Sequence, residues 1–315
     1  MTQPSVNMTF DTSLIDTHNL NASFSTIESD ASEADAPTTI KASTQLDVTP
    51  TPPPKPSTPV QHLPTQDAYD SWAAVYDTDG NMLQAIDDVE LSTFLPEFLA
   101  SVESSVAEET IQLLDLGCGT GRNTSKLLSY PYVSNPERLI EVTALDFSAG
   151  MLDVAREKLA PLRKDNVKLR ISQADCFPTL GNEKASPVPA VGGLSAVDGV
   201  VSTLVLEHVP LGDYFATVAS LVRKGGFALV TNMHSEMGKM SQAGFVNAEG
   251  VKVRGTSFAH TPSETVEAAT KAGFEVVSLK ERIMRREDVE SGRVGERGLK
   301  WVGIHVWYGV LLRRL

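Results

Sequence analysis

The stretch LLDLGCGTGRNTSKLL, residues 113 to 128, joins an apolar segment to a segment with helical spacing through Gly117, Gly119 and Gly121. Glycines between a strand and a helix let a ligand approach the bare backbone, and the first helical turn points its amide groups at an anion. The spacing is GxGxG, whereas the dinucleotide fingerprint is GxGxxG with a longer turn shaped around a pyrophosphate. The loop therefore predicts an anion-bearing ligand and fits a dinucleotide imperfectly.

Around this loop, apolar runs typical of strands alternate with segments of helical spacing. Such alternation predicts an α/β fold with a mostly parallel sheet, right-handed crossovers and helices on both faces. Only 17 residues without apolar periodicity separate the last two predicted strands, so that pair is predicted to be antiparallel. The predicted strands are 111–116, 139–145, 167–174, 197–203, 226–233, 274–283 and 301–312, and the predicted helices are 120–129, 149–162, 211–222 and 262–272.

The first 66 residues differ in composition from the rest of the chain. They are rich in Ser, Thr, Asp and Pro and include TPTPPPKPSTP, a composition that favours polyproline II and cannot offset the entropy cost of folding. We predict a disordered tail over 1–66 and one domain over 67–315. Helical spacing after Asp67 predicts two or three helices before the first strand, forming a lid. The aromatic residues of this lid are Tyr69, Trp72 and Tyr76.

Two later stretches do not fit the alternation. Residues 181–196 have low periodicity and are predicted to form a surface loop. Residues 235–261 contain GFVNAEGVKVRG, which predicts a short hairpin closed around Glu249 and Gly250. Because this second stretch follows a predicted buried strand at the mouth of the sheet, we expect it to cap a substrate pocket.

Composition limits the classes of partner. Forty acidic against 27 basic residues give a net charge of −13, and no basic stripe is present to hold a nucleic acid. Two cysteines are too few for a disulfide framework and lack metal-ligand spacing. Without a signal sequence or an apolar run long enough to span a bilayer, the chain is expected to be cytoplasmic, with no metal and no membrane partner. The oligomeric state is not predicted.

Polar residues follow five of the predicted strands at the point where each strand ends. In an open parallel sheet, ligands bind beyond the carboxyl ends of the strands. All five signals therefore lie on one edge of the predicted sheet and predict one site. Besides the glycine loop, the residues at this edge are Asp115, Asp146, Asp175, Ser202, Thr203, Asn232 and His234.

These residue types describe a ligand. Asp146 ends the second strand, 25 residues beyond Gly121, where a carboxylate accepts hydrogen bonds from both ribose hydroxyls. Met151, one turn into the next helix, is placed to lie against a flat base. Asp175, beside the small Cys176, is placed to accept from an exocyclic amino group. Together they predict adenosine bearing an amino-acid tail.

The sequence here resembles the class I S-adenosylmethionine-dependent methyltransferases. The motifs that carry the resemblance are LLDLGCGTG, ALDFSAGML, QADCFP and STLVLEHVP, starting at residues 113, 144, 173 and 202. Two further stretches, starting at 69 and 231, are similar to fungal small-molecule methyltransferases: YDSWAAVYDTDGNMLQAIDD and TNMHSEMGKMSQAGF. The resemblance implies a Rossmann-like seven-stranded sheet of order 3214576, with the last strand antiparallel, and S-adenosyl-L-methionine as cofactor.

The resemblance also assigns residues to each part of that cofactor. The methionine moiety, the ribose, the adenine and the sulfonium would each have their own contacts. Around the methionine moiety it places Asp115, Gly117, Cys118, Gly119 and Gly121, with Thr203 and Leu204 as the floor. It places Asp146 on the ribose, and Phe147, Met151, Asp175 and Cys176 around the adenine. Near the sulfonium it places the lid residues Tyr69, Trp72 and Tyr76.

Methyl transfer from a sulfonium is an in-line displacement with a good leaving group, so a catalytic base is optional. His208 and His234 are candidate bases for a hydroxyl acceptor, and each is equally explained as a loop anchor or helix cap. Glu207 is not assigned as a partner of His208, because a helical backbone would point the two side chains apart.

Three functions fit the sequence. The first is methylation of a small organic acceptor at oxygen, nitrogen or sulfur in secondary metabolism. The second is a cofactor-binding protein that does not methylate, and the third is a nicotinamide-dependent oxidoreductase, which the glycine spacing disfavours.

Overall fold

The computed structural model describes residues 60–132, 138–162, 164–179, 182–242, 244–247 and 249–315. Most of the predicted tail, residues 1–59, lies outside this range. Residues 60–66 were predicted to belong to that tail but are ordered instead, because Val60–His62 pairs in parallel with Lys252–Arg254 and a helix begins at Thr65.

The described part of the chain contains ten strands and nine α-helices, besides three short 3₁₀ helices. The strands are β1 Val60–His62, β2 Thr110–Leu116, β3 Leu139–Asp146, β4 Val167–Gln173, β5 Val197–Thr203, β6 Val222–Met233, β7 Gly244–Val246, β8 Lys252–Arg254, β9 Phe274–Ile283 and β10 His305–Arg314. The helices are α1 Thr65–Trp72, α2 Met82–Ser105, α3 Arg122–Ser129, α4 Ala149–Leu159, α5 Pro187–Ala190, α6 Leu211–Leu221, α7 Ser235–Met240, α8 Pro262–Lys271 and α9 Arg286–Glu290.

Seven strands form one sheet in the order β4-β3-β2-β5-β6-β10-β9. β10 runs antiparallel to both of its neighbours, and the other pairs are parallel. When the seven strands of this sheet are numbered 1 to 7 in chain order, starting at β2, their order in the sheet is 3214576. The predicted topology is therefore confirmed. Two large apolar clusters cover the two faces of the sheet, one built around α2 and the other around α6. The predicted α/β class with helices on both faces is likewise confirmed.

The segment between β9 and β10 departs from the prediction of a plain loop. It contains α9 and a 3₁₀ helix over Glu296–Trp301, so the last strand begins at His305 rather than at 301. Asp288 organises this segment: its carboxylate accepts from the Arg285 amide at 3.0 Å and from the Arg282 guanidinium at 2.5 Å. Both helices are too short to leave an apolar period in the sequence.

The predicted hairpin is confirmed. β7 and β8 pair antiparallel, and Gly250 takes a positive φ of 74° in the turn between them. β1 adds to its edge, giving a separate three-stranded sheet. Phe245 of this small sheet stacks on Trp72 of α1 at a ring separation of 5.2 Å, so the hairpin packs on the first helix.

A fully buried carboxylate ties the helices to the main sheet. Asp87 of α2 accepts hydrogen bonds from Arg122 of α3 at 2.5 Å, from Thr231 of β6 at 2.6 Å and from the indole of Trp307 of β10 at 2.7 Å. Hydrogen bonds to a buried charge are strong, and removing one partner leaves the others unsatisfied. Asp87 therefore fixes the helix that follows the glycine loop against the sheet.

We expect Asp87→Ala to lower the free energy of unfolding by about 3–5 kcal/mol, because it leaves the Arg122 charge without its buried partner. Urea unfolding followed by circular dichroism measures the change. Asp88→Ala is the matched control: Asp88 also binds Arg122, but its side chain is 45% exposed. The control should cost about 1 kcal/mol or less, and equal losses for both variants would contradict this account.

Candidate functional site

The glycine loop after β2 has the backbone that only glycine adopts readily. Gly117, Gly119 and Gly121 have φ of 75°, 52° and 79°. A Cβ on Gly117 would lie 2.3 Å from the Val205 side chain, whereas one on Gly119 would meet no atom within 4 Å. Gly117 is therefore required for packing, and Gly119 leaves its backbone open to the space above the strand ends.

Asp146, at the end of β3, holds this loop in place. One carboxylate oxygen accepts from the Gly119 amide at 2.8 Å and the other from the Ser148 amide at 2.9 Å. Burial raises the pKa of Asp146, and these two backbone hydrogen bonds oppose that shift. Each oxygen has a second lone pair, so the carboxylate retains capacity to accept from a ligand.

The first helix and the turn after it cover the loop. Asp70 of α1 accepts from the Ser148 hydroxyl at 2.5 Å and from the Gly150 amide at 3.0 Å, at the N-terminus of α4. Asp77, in the next turn, accepts from the Thr120 hydroxyl at 2.7 Å and pairs with Lys158. The predicted lid segment is thus fastened by carboxylates to both sides of the strand-end opening.

A pocket with an empty volume of about 810 Å³, part of it open to solvent, lies between the strand ends and this segment. Eleven of the predicted site residues line it, and six other residues complete it. The predicted ones are Tyr69, Tyr76, Gly117, Gly119, Asp146, Phe147, Asp175, Cys176, Thr203, Leu204 and His208. The others are Thr65, Ala174, Phe177, Thr179, Val205 and Val209.

The lining is mostly apolar, with a few fixed polar groups. Asp175 accepts a hydrogen bond from Asn182 at 2.8 Å, and burial raises the pKa of the Cys176 thiol to about 12. The hydroxyl of Thr203 accepts from Asn123 at 2.6 Å. Apolar walls with a small number of oriented polar groups are typical of small-molecule sites.

Leu204, directly after β5, has a φ of 56°. A bulky residue rarely adopts this left-handed conformation, and such strain concentrates at ligand and active sites. Its amide donates to the Thr231 carbonyl at 2.9 Å, which holds the turn. The strained turn places the predicted residues Thr203 and Leu204 on the pocket wall, together with Val205, which the sequence analysis did not assign to the site.

Two predicted site residues, one from the lid and one from α4, lie outside the lining. Trp72 is buried between Phe245 and Tyr76, and its indole donates to Asp79 at 2.9 Å. Met151 is fully buried and packs in the same cluster. Both side chains belong to the apolar cluster that joins the lid to α4 and the hairpin.

Three other predicted residues lie in or beside the glycine loop, but their contacts are with the protein and they do not line the pocket. Asp115 is buried and accepts from the Thr124 hydroxyl at 2.6 Å, and burial raises its pKa to about 6. The Cys118 amide donates to the Leu145 carbonyl at 2.9 Å. Gly121 precedes α3, and a Cβ there would come within 2.9 Å of the Leu159 side chain.

His234 also lies outside the lining. Its ring accepts from the Glu236 amide at 3.1 Å, which caps α7, and its other nitrogen lies 3.1 Å from a Glu281 carboxylate oxygen. The ring stacks on His305. With both nitrogens bonded away from the pocket, His234 caps a helix, the alternative that the sequence left open.

His208 does face the pocket. Its Nδ1 lies 2.7 Å from the Thr256 carbonyl oxygen and its Nε2 lies 2.8 Å from the Tyr69 hydroxyl. The expectation that Glu207 points away is wrong, because in this 3₁₀ turn a Glu207 oxygen comes within 3.9 Å of Nε2. His208 thus joins the lid, the strand-end turn and the segment after the hairpin.

Two kinds of site are not found in the described part of the chain. No group of three or more His, Cys, Asp or Glu side chains there has the arrangement of a metal site. None of the helices in those residues combines the length and apolar character needed to cross a bilayer.

Comparison with known proteins places this geometry in a family. A family profile described as a methyltransferase domain matches residues 114–228. An uncharacterized methyltransferase of Emericella nidulans is 41% identical over 265 residues, which cover 80% of this chain and 91% of that protein. The biotin biosynthesis bifunctional protein BioHC of Teredinibacter turnerae is 29% identical over 168 residues, 52% of this chain and 25% of that protein.

Solved structures are similar at low identity. An S-adenosylmethionine-dependent methyltransferase from Mesorhizobium loti has 17% identity and a TM-score of 0.44, covering 68% of this chain and 96% of that one. A geranyl diphosphate C-methyltransferase from Streptomyces coelicolor has 15% identity and a TM-score of 0.48, covering 71% and 77%. Since the relative from Emericella nidulans is matched along nine tenths of its length, this chain belongs to the class I S-adenosylmethionine-dependent methyltransferases, enzymes whose methyl donor is S-adenosyl-L-methionine.

Proposed function

We propose that this enzyme methylates a small organic acceptor at oxygen, nitrogen or sulfur in cytoplasmic secondary metabolism. The observation that carries the proposal is the convergence of the glycine loop, Asp146, the Thr203–Leu204 turn and His208 on one mostly apolar pocket. A concave, mostly apolar pocket with a few oriented polar groups suits the cofactor with a small acceptor better than a macromolecule. The net charge of −13 disfavours nucleic acid, and the likeness of two sequence stretches to fungal small-molecule methyltransferases favours a metabolite.

The residues present fit S-adenosylmethionine. The bare backbone at Gly119 leaves room for a ligand, and Asp146 has free lone pairs for ribose hydroxyls. Phe147, Asp175 and Cys176 line the part of the pocket proposed for the adenine. When bound, the cofactor supplies an electrophilic methyl group on a cationic sulfur.

Other residues of the lining would stabilise the sulfonium charge and accept a proton from the methyl acceptor. The faces of Tyr69 and Tyr76 favour a nearby cation. Burial raises the pKa of both phenols well above the ordinary value, so they remain neutral hydroxyls. His208 is the proposed base, since it is the candidate histidine whose ring lines the pocket.

Asp146→Ala should weaken S-adenosylmethionine binding by about 10- to 100-fold, because charge-assisted hydrogen bonds contribute about 1.5–3 kcal/mol each. Isothermal titration calorimetry on the purified protein measures this, with circular dichroism to check folding. Asp153→Ala, an exposed acid on α4 paired with Arg156, is the control and should bind as the wild type does. An unchanged Kd for Asp146→Ala, or no binding by the wild type, would contradict the proposal.

His208→Gln should reduce kcat for a hydroxyl acceptor by about 10²- to 10⁴-fold while leaving the Kd for S-adenosylmethionine unchanged, as expected for loss of a general base. Methyl-labelled cofactor, with a panel of phenols, carboxylic acids, amines and thiols, identifies the acceptor and gives the rate. His305→Gln on β10 is the matched control. Equal rates for wild type and His208→Gln would remove His208 from the chemistry.

A further inference from the structure

β9 is the outer strand at one end of the seven-stranded sheet. It runs for ten residues, Phe274–Ile283, and among the described residues no strand pairs with its free edge. Beyond a bulge at Val277, residues 278–282 pair with β10 without interruption. In an antiparallel pair, alternate residues turn their N–H and C=O groups away from the partner strand. β9 therefore presents a row of backbone donors and acceptors to which another strand can be added.

The exposed side chains along this edge are mostly apolar. Val276, Val277, Leu279 and Ile283 are between 36% and 48% exposed. They are four of the eight large apolar side chains that are exposed in the described part of the chain. Single exposed apolar residues are common on protein surfaces, whereas a cluster of them marks an interaction site. The apolar exposure of this chain is thus concentrated on one strand edge.

The other outer strand of the sheet has a different surface. In β4 the exposed residues are Lys168, Arg170 and Gln173, all of them polar. Charged side chains on an edge strand, lysine above all, discourage pairing with another chain. β4 is therefore protected against the addition of a strand, and β9 lacks this protection at four of its exposed positions.

The basic side chains within β9 do not guard its free edge. Lys280 donates to Glu97 of α2 at 2.9 Å, and Arg282 pairs with Glu90 of α2 at 2.8 Å and with Asp288 of α9 at 2.5 Å. Both side chains are held by acids of this chain. Their charges therefore stay paired when a strand is added to the edge.

The charges at the two ends of β9 indicate which strand fits. Glu275 lies near its beginning, and Arg285 and Arg286, both exposed, follow its end. Glu275 pairs with Arg313 at 3.5 Å, but both side chains are about half exposed, where such a pair contributes little. A second copy of β9 that runs antiparallel brings the acidic beginning of each strand to the basic end of the other. A parallel copy would place like charges together.

We propose that β9 pairs with β9 of a second copy of this chain, antiparallel about a two-fold axis, so that two seven-stranded sheets become one. The apolar residues lie between the charged ends, so they face one another across the pair and leave water. The two-fold axis lets both copies use the same surface, as in most dimers. None of the described residues that line the pocket belongs to β9, so each copy keeps its own site.

Light scattering after size-exclusion chromatography of the full-length protein tests the pairing. One copy has a mass of 33.9 kDa, and we expect twice that mass at about 100 μM protein, where a dimer of micromolar Kd is nearly complete. A wild-type monomer at this concentration would overturn the proposal.

Leu279→Lys places a charge at the centre of the free edge and should raise the Kd of the dimer by about 10- to 100-fold. Because Leu279 is exposed, the fold should be retained, and circular dichroism checks this. Val277→Lys is the second variant if the first does not fold. Leu299→Lys is the matched control, since Leu299 is equally exposed but lies in the 3₁₀ helix before β10, and it should dimerise as the wild type does. An unchanged Kd in the folded β9 variants would overturn the proposal.

Hydrogen exchange of the backbone amides locates the interface. The amides of β9 should exchange more slowly in the wild-type dimer than in Leu279→Lys. A dimer in which they exchange equally fast in both would show that the copies meet elsewhere. Protection of β9 that is lost when residues 1–59 are removed would show that the N-terminal segment covers the edge. Either result would overturn the pairing of β9 with β9.

Calorimetry with S-adenosylmethionine on the same samples keeps this proposal separate from the proposed function. Leu279→Lys should bind the cofactor with the wild-type Kd, because the pocket and the edge share no lining residue. A wild-type protein that dimerises without binding the cofactor contradicts the proposed function alone. A wild-type protein that binds the cofactor as a monomer contradicts the pairing alone.

Discussion

One carboxylate determines the shape of this site. Asp146 accepts the Gly119 amide on one oxygen and the Ser148 amide on the other, so the glycine loop and the start of α4 face the same space. That arrangement requires β2 and β3 to be adjacent and parallel, which they are over seven residue pairs. Because the buried acid has few alternative partners, the loop geometry follows from the sheet topology.

The lid depends on the same two elements. Asp70 binds the start of α4 and Asp77 binds Thr120 in the glycine loop, so Tyr69 and Tyr76 of the lid stand over the strand ends. From there the Tyr69 hydroxyl reaches His208. The proposed chemistry thus lies where three segments distant in sequence meet: the lid, the turn after β5, and the segment after the hairpin.

The sheet was predictable because each strand and helix carries its own periodic signal, and because the carboxyl ends of parallel strands meet at one edge. This explains why the sequence predicted that Asp146, Asp175 and Thr203 would lie at one edge of the sheet, where they line the same pocket. Trp72 and Met151 were assigned to the cofactor from their spacing and from the family resemblance. In the structure both side chains pack in the same apolar cluster, since periodicity does not say which neighbour an apolar face meets. The role of Asp70 depends on partners, Ser148 and Gly150, that only tertiary folding brings to it.

We propose that the strand ends hold the ribose of S-adenosylmethionine on Asp146. A crystal structure of the enzyme with S-adenosylhomocysteine would show whether this contact forms. We expect both ribose hydroxyls within about 3 Å of the Asp146 carboxylate, the distance of a charge-assisted hydrogen bond, with the amino-acid tail against the glycine loop. A ribose bound elsewhere, with Asp146 turned to protein groups alone, would contradict the claim.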